Sequence, residues 1–142
     1  MKILALDLGD KWVGTALSDA LKMTCKPYET VELKQLHGFL TRVIPQENIS
    51  LVLVGHPKTF AGQASEQTLK IEKAKTELEE KLGTVGGKIV AWMLWDERLS
   101  SKRAEELKRG ATTPEAKKKS HSIAAAFILQ SYLDHLAFQR SE

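Results

Sequence analysis

The sequence predicts an α/β domain in which a mixed five-stranded sheet carries helices on both faces. Short continuous apolar runs (Ile3 to Leu6, Leu51 to Val54, Ile89 to Leu94) have the length and composition of strands buried on both sides. Two extended segments near the start are joined by a turn, and the stretches between and after the later strands repeat apolar residues at helical spacing. A length of 142 residues corresponds to one domain, 1–142. With 42% hydrophobic and 27% charged residues the composition is globular, which excludes a disordered or collagen-like chain. The longest apolar runs, Ile89 to Trp95 and Ile123 to Leu129, fall far short of the roughly 18 residues that span a bilayer. The opening apolar stretch meets Asp7 too soon to be a secretion signal, so no membrane association and a cytoplasmic location are expected.

Ile3-Leu4-Ala5-Leu6 is closed by Gly9-Asp10-Lys11, and Trp12-Val13-Gly14-Thr15-Ala16-Leu17 then resumes an extended pattern, which reads as a β-hairpin. A third extended piece spans Cys25 to Val31. Pro27 puts it at a sheet edge, because proline cannot donate to a central ladder. Leu36, Phe39, Leu40, Val43 and Ile44 recur at helical spacing, in a helix expected to stop before Pro45. Leu51-Val52-Leu53-Val54 is a buried strand closed by Gly55-His56-Pro57. Ser65 to Leu82 is a polar-rich helix with Leu69, Ile71, Leu78 and Leu82 apolar and Gly83 as C-cap. Ile89 to Leu94 is the fifth strand, followed by Asp96-Glu97-Arg98-Leu99. Ser100 or Ser101 caps a helix running to Arg109, which Gly110 ends. Thr113-Pro114-Glu115 opens the last helix, with threonine as N-cap and proline at the first position, and it runs to Leu136. The order β-β-β-α-β-α-β-α-α makes a mixed sheet.

The net charge of +3 permits a nucleic-acid partner without demanding one, but its distribution is uneven. Arg98 to Lys119 holds eight basic residues against three acidic, a net +5, and the rest of the chain sums to −2. The single cysteine, Cys25, can form neither an internal disulfide nor a zinc cluster and reads as a small packed residue. Chemistry gathers at strand ends. Asp7 follows a buried strand, where desolvating a carboxylate is costly unless something offsets it. The adjacent Gly9 and Gly14 let the backbone pass close to a phosphate or metal. Glu97 ends the fifth strand, so the two carboxylates either converge where open sheets bind ligands or are a solvated loop pair. Asp96, one residue earlier, points to the opposite side.

His121 begins the apolar stripe Ala125, Ile128, Leu129, Tyr132 and Leu136, so its imidazole faces the sheet, as a core residue or as a metal ligand. His56 sits in a strand-end loop able to border a cleft. Lys117-Lys118-Lys119 either holds a phosphate backbone or is a solvated helix start. Trp12 and Trp95 have rings that can stack on bases, whereas Trp92 reads as core.

Four segments carry a resemblance: Leu4-Ala5-Leu6-Asp7-Leu8-Gly9-Asp10-Lys11-Trp12-Val13-Gly14-Thr15-Ala16-Leu17-Ser18-Asp19, Leu53-Val54-Gly55-His56-Pro57, Asp96-Glu97-Arg98-Leu99-Ser100, and Ile123-Ala124-Ala125-Ala126-Phe127-Ile128-Leu129-Gln130-Ser131-Tyr132-Leu133. In this order and spacing the chain resembles, over nearly its whole length, the YqgF family, also called RuvX. The resemblance implies an RNase H-like three-layer α/β/α fold related to the RuvC Holliday junction resolvases. It also implies a metal-dependent nuclease, a hydrolase of phosphodiester bonds, that processes the 5′ end of pre-16S rRNA in ribosome biogenesis. The implied cofactor is a divalent metal, Mg2+ or Mn2+, and the implied partners are structured RNA, DNA junctions or ribosomal precursor particles. In the family pattern the site comprises the strand aspartate, matching Asp7, the glutamate of Asp-Glu-Arg, matching Glu97, and an aspartate at the start of the last helix, where this chain has His121. Lys11, Arg98, Lys117, Lys118 and Lys119 are the expected phosphate contacts. Two further departures are Trp12, where the family usually has arginine, and His56-Pro57 in place of Leu-Pro.

Hydrolysis with two divalent ions about 3.5 to 4 Å apart needs anionic oxygens able to bridge them, and Asp7 is the expected bridge. An imidazole in place of the third carboxylate removes a negative charge and offers one nitrogen, which suits manganese or zinc better than magnesium. His121 is then third ligand or general base. A histidine binds metal only when neutral, so activity should fall in acid more steeply than at an all-carboxylate site. Two rival readings stay open. A Holliday junction resolvase needs a homodimer to cut two strands symmetrically, whereas a trimming nuclease can act as a monomer. A catalytically impaired RNA-binding module for ribosome assembly is compatible with His121 and Trp12. The Asp-x-Gly hairpin is also similar to the phosphate-binding opening of actin-like and sugar-kinase ATPases, whose two domains need more than 142 residues.

Overall fold

The computed structural model describes residues 1–56, 66–96, 110 and 112–140. Ile3, Leu4, Ala5 and Leu6 are all but inaccessible in β1 (Lys2–Leu8), as a strand covered on both faces requires. The chain reverses where the Gly9 N–H donates to the Trp12 carbonyl at 3.0 Å, and β2 (Trp12–Ser18) returns antiparallel with Asp7 opposite Gly14. β3 (Cys25–Glu32) pairs antiparallel with β2 at the sheet edge, where Pro27 costs no ladder bond. The register between them shifts between Gly14 and Ala16. The Thr15 hydroxyl fills the gap, donating to the Glu29 carbonyl at 2.5 Å and accepting from the Glu29 N–H at 2.9 Å.

A 3-10 turn (Leu33–Gln35) leads into α1 (Leu36–Gln46), and β4 (Ile49–His56) then lies parallel to β1. After α2 (Glu66–Leu82) a small hairpin, β5 (Thr84–Val85) and β6 (Lys88–Ile89), precedes β7 (Ala91–Asp96), which runs parallel to β4. The last element is α3 (Pro114–Arg140). Among the described residues the main sheet has five strands in the order β3-β2-β1-β4-β7.

Strand alternation divides the core in two. Leu4, Leu6, Leu8, Val52, Val54 and Trp92 face α1 and α2, while Ile3, Ala5, Ala16 and Leu53 pack against Ala125, Ile128, Leu129 and Leu133 of α3. This is the three-layer α/β/α arrangement expected of an RNase H-like fold. No helix among the described residues is long and apolar enough to cross a membrane.

Three expectations are corrected. The first helix continues through Pro45 to Gln46. A proline φ is helical, the lost N–H bond lies in the last turn, and Val43 and Ile44 stay buried. The stop comes instead at Asn48, whose φ of 54° is the left-handed conformation that ends helices. Gly83 follows α2 without a positive φ. Its lack of a side chain serves contact, since a Cβ would lie 2.7 Å from the Glu79 carbonyl oxygen. The fifth strand begins at Ala91 instead of Ile89, because Gly86 and Gly87, at φ 59° and 80°, form a two-residue hairpin turn that leaves Ile89 84% exposed in β6. Leu69 is likewise exposed, outside the apolar face of α2. The expected helix to Arg109, Glu97, Arg98, Pro57 and Ser65 lie outside the described residues.

Candidate functional site

Asp7 occupies the C-terminal end of β1 on the face that α3 covers, and it is only 4% exposed. Burying an ionised carboxylate costs several kcal/mol unless it is paired. Its partner is His121, whose Nδ1 lies 3.2 Å from Asp7 Oδ2 across 114 residues of sequence. With its proton on Nδ1, the imidazole donates to Asp7 and leaves the Nε2 lone pair for another group.

The start of α3 is built to deliver that imidazole. Thr113 Oγ1 accepts the Ala116 N–H at 3.0 Å as N-cap, ahead of Pro114 and Glu115. Thr30 Oγ1 on β3 donates to the Lys118 carbonyl at 2.9 Å, which ties the first turns of the helix to the sheet edge. Gly14 completes the seat, because a Cβ there would collide with the His121 carbonyl and the Ser122 nitrogen. The space Gly14 leaves is therefore filled by the helix backbone, and not by a phosphate or metal as the sequence suggested. A Cβ on Gly9 would lie 2.7 Å from the Trp12 carbonyl oxygen and 3.1 Å from His121 Cε1, so the β1–β2 turn also closes against the imidazole.

The donors suit a divalent cation. Carboxylate oxygen and imidazole nitrogen are both donors that such an ion accepts, the imidazole through the nitrogen not bonded to Asp7. Among the described residues no group of three His, Cys, Asp or Glu side chains could hold a metal ion. Glu97, the expected second carboxylate, and Arg98 lie outside those residues. Asp96 is in register with His56, on the face away from α3, as alternation from Trp95 requires.

Of the expected phosphate contacts, Lys11 and Lys117 to Lys119 lie at the same end of the molecule. Lys117, Lys118 and Lys119 are exposed on the first turns of α3, where three cations oppose the helix dipole. Lys11, in the β1–β2 turn, is exposed too, and its Nζ lies 5.6 Å from the Trp12 ring centroid. His56 is not in a loop: it is the last residue of β4, buried, with Nε2 2.8 Å from Glu72 Oε1 of α2 on the opposite face of the sheet from Asp7. Reading the sequence missed Glu72, and also Thr30, whose role depends on strand order. Trp92 is core and gives its indole N–H to the Leu82 carbonyl; Trp95 gives its own to Ser131 Oγ and meets Tyr132 edge-on at 5.0 Å.

Comparison with known proteins agrees with this architecture. The profile of the family described as "RuvX: Holliday junction resolvase" matches residues 1–135. A protein of Caldicellulosiruptor bescii named "Putative pre-16S rRNA nuclease" is 39% identical over 139 residues, covering 94% of this chain and 96% of its own. One of the same name from Rubrobacter xylanophilus is 34% identical, covering 94% and 92%. Among solved structures, T. thermophilus RuvC in complex with Holliday junction substrate superposes with a TM-score of 0.63 at 12% identity, covering 98% of this chain and 96% of that one. The yeast mitochondrial Holliday junction resolvase Ydc2 superposes with 0.52 at 11% identity, covering 98% and 81%. These two likenesses concern the fold alone. The profile match over residues 1–135 and the curated relatives, together with a sheet that brings the first-strand aspartate to the start of the last helix, establish that the chain belongs to the RuvX (YqgF) family.

Proposed function

We propose that this protein is a divalent-metal-dependent nuclease that hydrolyses phosphodiester bonds in structured RNA and processes the 5′ end of pre-16S rRNA in the cytoplasm. The observation that carries the reading is the buried Asp7 carboxylate 3.2 Å from His121 at a strand end, in a chain whose relatives bear that nuclease name. Asp7 and Glu97 are the carboxylate ligands of Mg2+ or Mn2+. His121 is the third ligand or the base that takes a proton from the attacking water. When bound, such ions activate water and neutralise charge on the leaving oxygen. Lys11, Arg98 and Lys117 to Lys119 hold the phosphates on either side of the scissile bond, by charge and without base specificity.

The test is cleavage of an end-labelled RNA with a 5′ leader, in manganese or magnesium, by the wild-type protein and by Asp7→Asn. Metal-dependent cutting that falls at least about a thousandfold in the variant is the expected result, the size of loss typical when a group central to transition-state charge is removed. If both proteins bind the RNA and neither cuts, the chain is a binding module and His121 marks the lost activity.

The family description favours a second substrate, the four-way DNA junction. Symmetric cutting of two strands needs two sites related by a dyad, hence a homodimer. A protein that sediments as a monomer on a junction and leaves it intact excludes this reading and leaves the RNA one standing.

A further inference from the structure

We infer that Trp12 is a stacking platform for an unpaired base of the nucleic-acid substrate, set beside the Asp7–His121 pair, with Lys11 and Lys118 placed to take the phosphates flanking that base. The inference rests on the nucleic-acid reading above and adds the residue that reads the substrate's single-stranded part.

The three tryptophans differ in what holds them. Trp92 and Trp95 each spend the indole N–H on an acceptor inside the fold. Trp12 is partly exposed, and its indole N–H has no acceptor among the described residues. Its neighbours are cations: Lys118 Nζ lies 4.9 Å and Lys11 Nζ 5.6 Å from the ring centroid. An aromatic face attended by two exposed ammonium groups is the arrangement that binds single-stranded nucleic acid, the ring taking a base and the cations the backbone.

The backbone of Trp12 is fixed in relation to the candidate site. The Trp12 carbonyl accepts the Gly9 N–H at 3.0 Å, and Trp12 pairs with Glu32 in the β2–β3 ladder, so its backbone is held on both sides. It alternates with Val13 and so shares the sheet face of Gly14, against which the His121 backbone rests. Lys118 is three residues from His121 on the same helix, and its carbonyl is tied to Thr30. Without substrate the ammonium groups rest on the ring. A base arriving there exchanges with them, and the flexible lysine stems let the charges move to the adjacent phosphates. Bases inside a duplex have both faces covered by neighbours, so only an unstacked or terminal base can use the platform. The substrate therefore carries a single-stranded nucleotide next to the bond that is cut.

The test is binding without cleavage, in EDTA. The protein is titrated with a single-stranded uridine oligomer and with the same oligomer made abasic, following tryptophan fluorescence. The difference between wild type and Trp12→Phe isolates the Trp12 signal. Quenching of that signal by the base-containing oligomer only, with Trp12→Leu binding it about tenfold more weakly and the abasic one unchanged, is expected. Trp12→Phe should keep most of the affinity, and the salt dependence should not change because the phosphate contacts remain. Equal loss on both oligomers, or no loss on either, overturns the stacking role while leaving nucleic-acid binding intact. If neither oligomer nor a structured RNA binds wild type, the nucleic-acid reading itself fails and the platform with it. Should Trp12→Leu melt early, Trp12→Phe and the wild-type quenching decide the matter.

Discussion

Gly14 shows how a single missing side chain can position a site. Because a methyl group there would occupy the place of the His121 carbonyl, Gly14→Ala must push the start of α3 off β2 and separate the imidazole from Asp7. We expect a loss of about 3 kcal/mol in unfolding free energy, at the upper end of ordinary overpacking, and cleavage lost out of proportion to the fall in melting temperature. Thermal melts beside cleavage assays check this, and a variant with normal stability and normal rate would show that the helix does not need that approach. Cys25 illustrates the opposite case, a reactive group made inert. Burial, with the charges of Asp134 and Asp19 adding, pushes its thiol from an ordinary value of 9.0 up to about 11, and its Sγ–H points to the Ala126 carbonyl at 3.4 Å. The fold thus prefers the neutral thiol, so this residue's contribution to stability is intact below pH 9 and falls as pH rises from there toward 11. At pH 8 iodoacetamide should alkylate native Cys25 about a hundredfold more slowly than the urea-unfolded chain, following the thiolate fraction. Equal rates would refute the shift.

At the level of elements, α3 carries the site and its N-terminus is the part under load. The Thr113 cap satisfies a backbone donor at the end where Lys117 to Lys119 repel the dipole, so Thr113→Ala should cost about 1 kcal/mol. Thr113→Ser should restore it, as denaturant midpoints would register, and an alanine variant as stable as wild type would mean that packing alone holds the helix start. This cap was legible in Thr113-Pro114-Glu115, because capping is local chemistry written in adjacent residues. The β5–β6 hairpin was equally local, signalled by Gly86-Gly87, but the apolar run from Ile89 to Leu94 looked like one strand and concealed it. Pro45 misled for a related reason: the burial of Val43 and Ile44 outweighs one lost hydrogen bond, a tertiary gain that no local rule measures.

For the molecule as a whole, stability is distributed by position in the sheet. β1 lies between β2 and β4 and is covered by helices on both faces, whereas β5–β6 is a two-stranded appendage with Ile89 in solvent. Native-state hydrogen exchange should find the slowest amides in β1 and β4, opening only with global unfolding, and amides of β5–β6 exchanging early. A hairpin as protected as β1 would contradict this picture of stability centred on the doubly covered strands.

Periodicity and composition alone were enough to read the α/β class, all five strands of the main sheet, the edge position of β3 and the sheet-facing stripe of α3, since each depends on residues within a few positions of one another. The four motifs were enough to identify the family. Asp7 and His121 could be singled out for the same local reasons, one as a carboxylate ending a buried strand and the other as an imidazole heading an apolar stripe. That they meet, that Gly14 makes room for the helix, that Thr30 anchors Lys118 and that His56 turns away to Glu72 were decided by tertiary structure. Those contacts depend on strand order and register, which bring together side chains up to 114 residues apart, and no spacing along the chain encodes that distance.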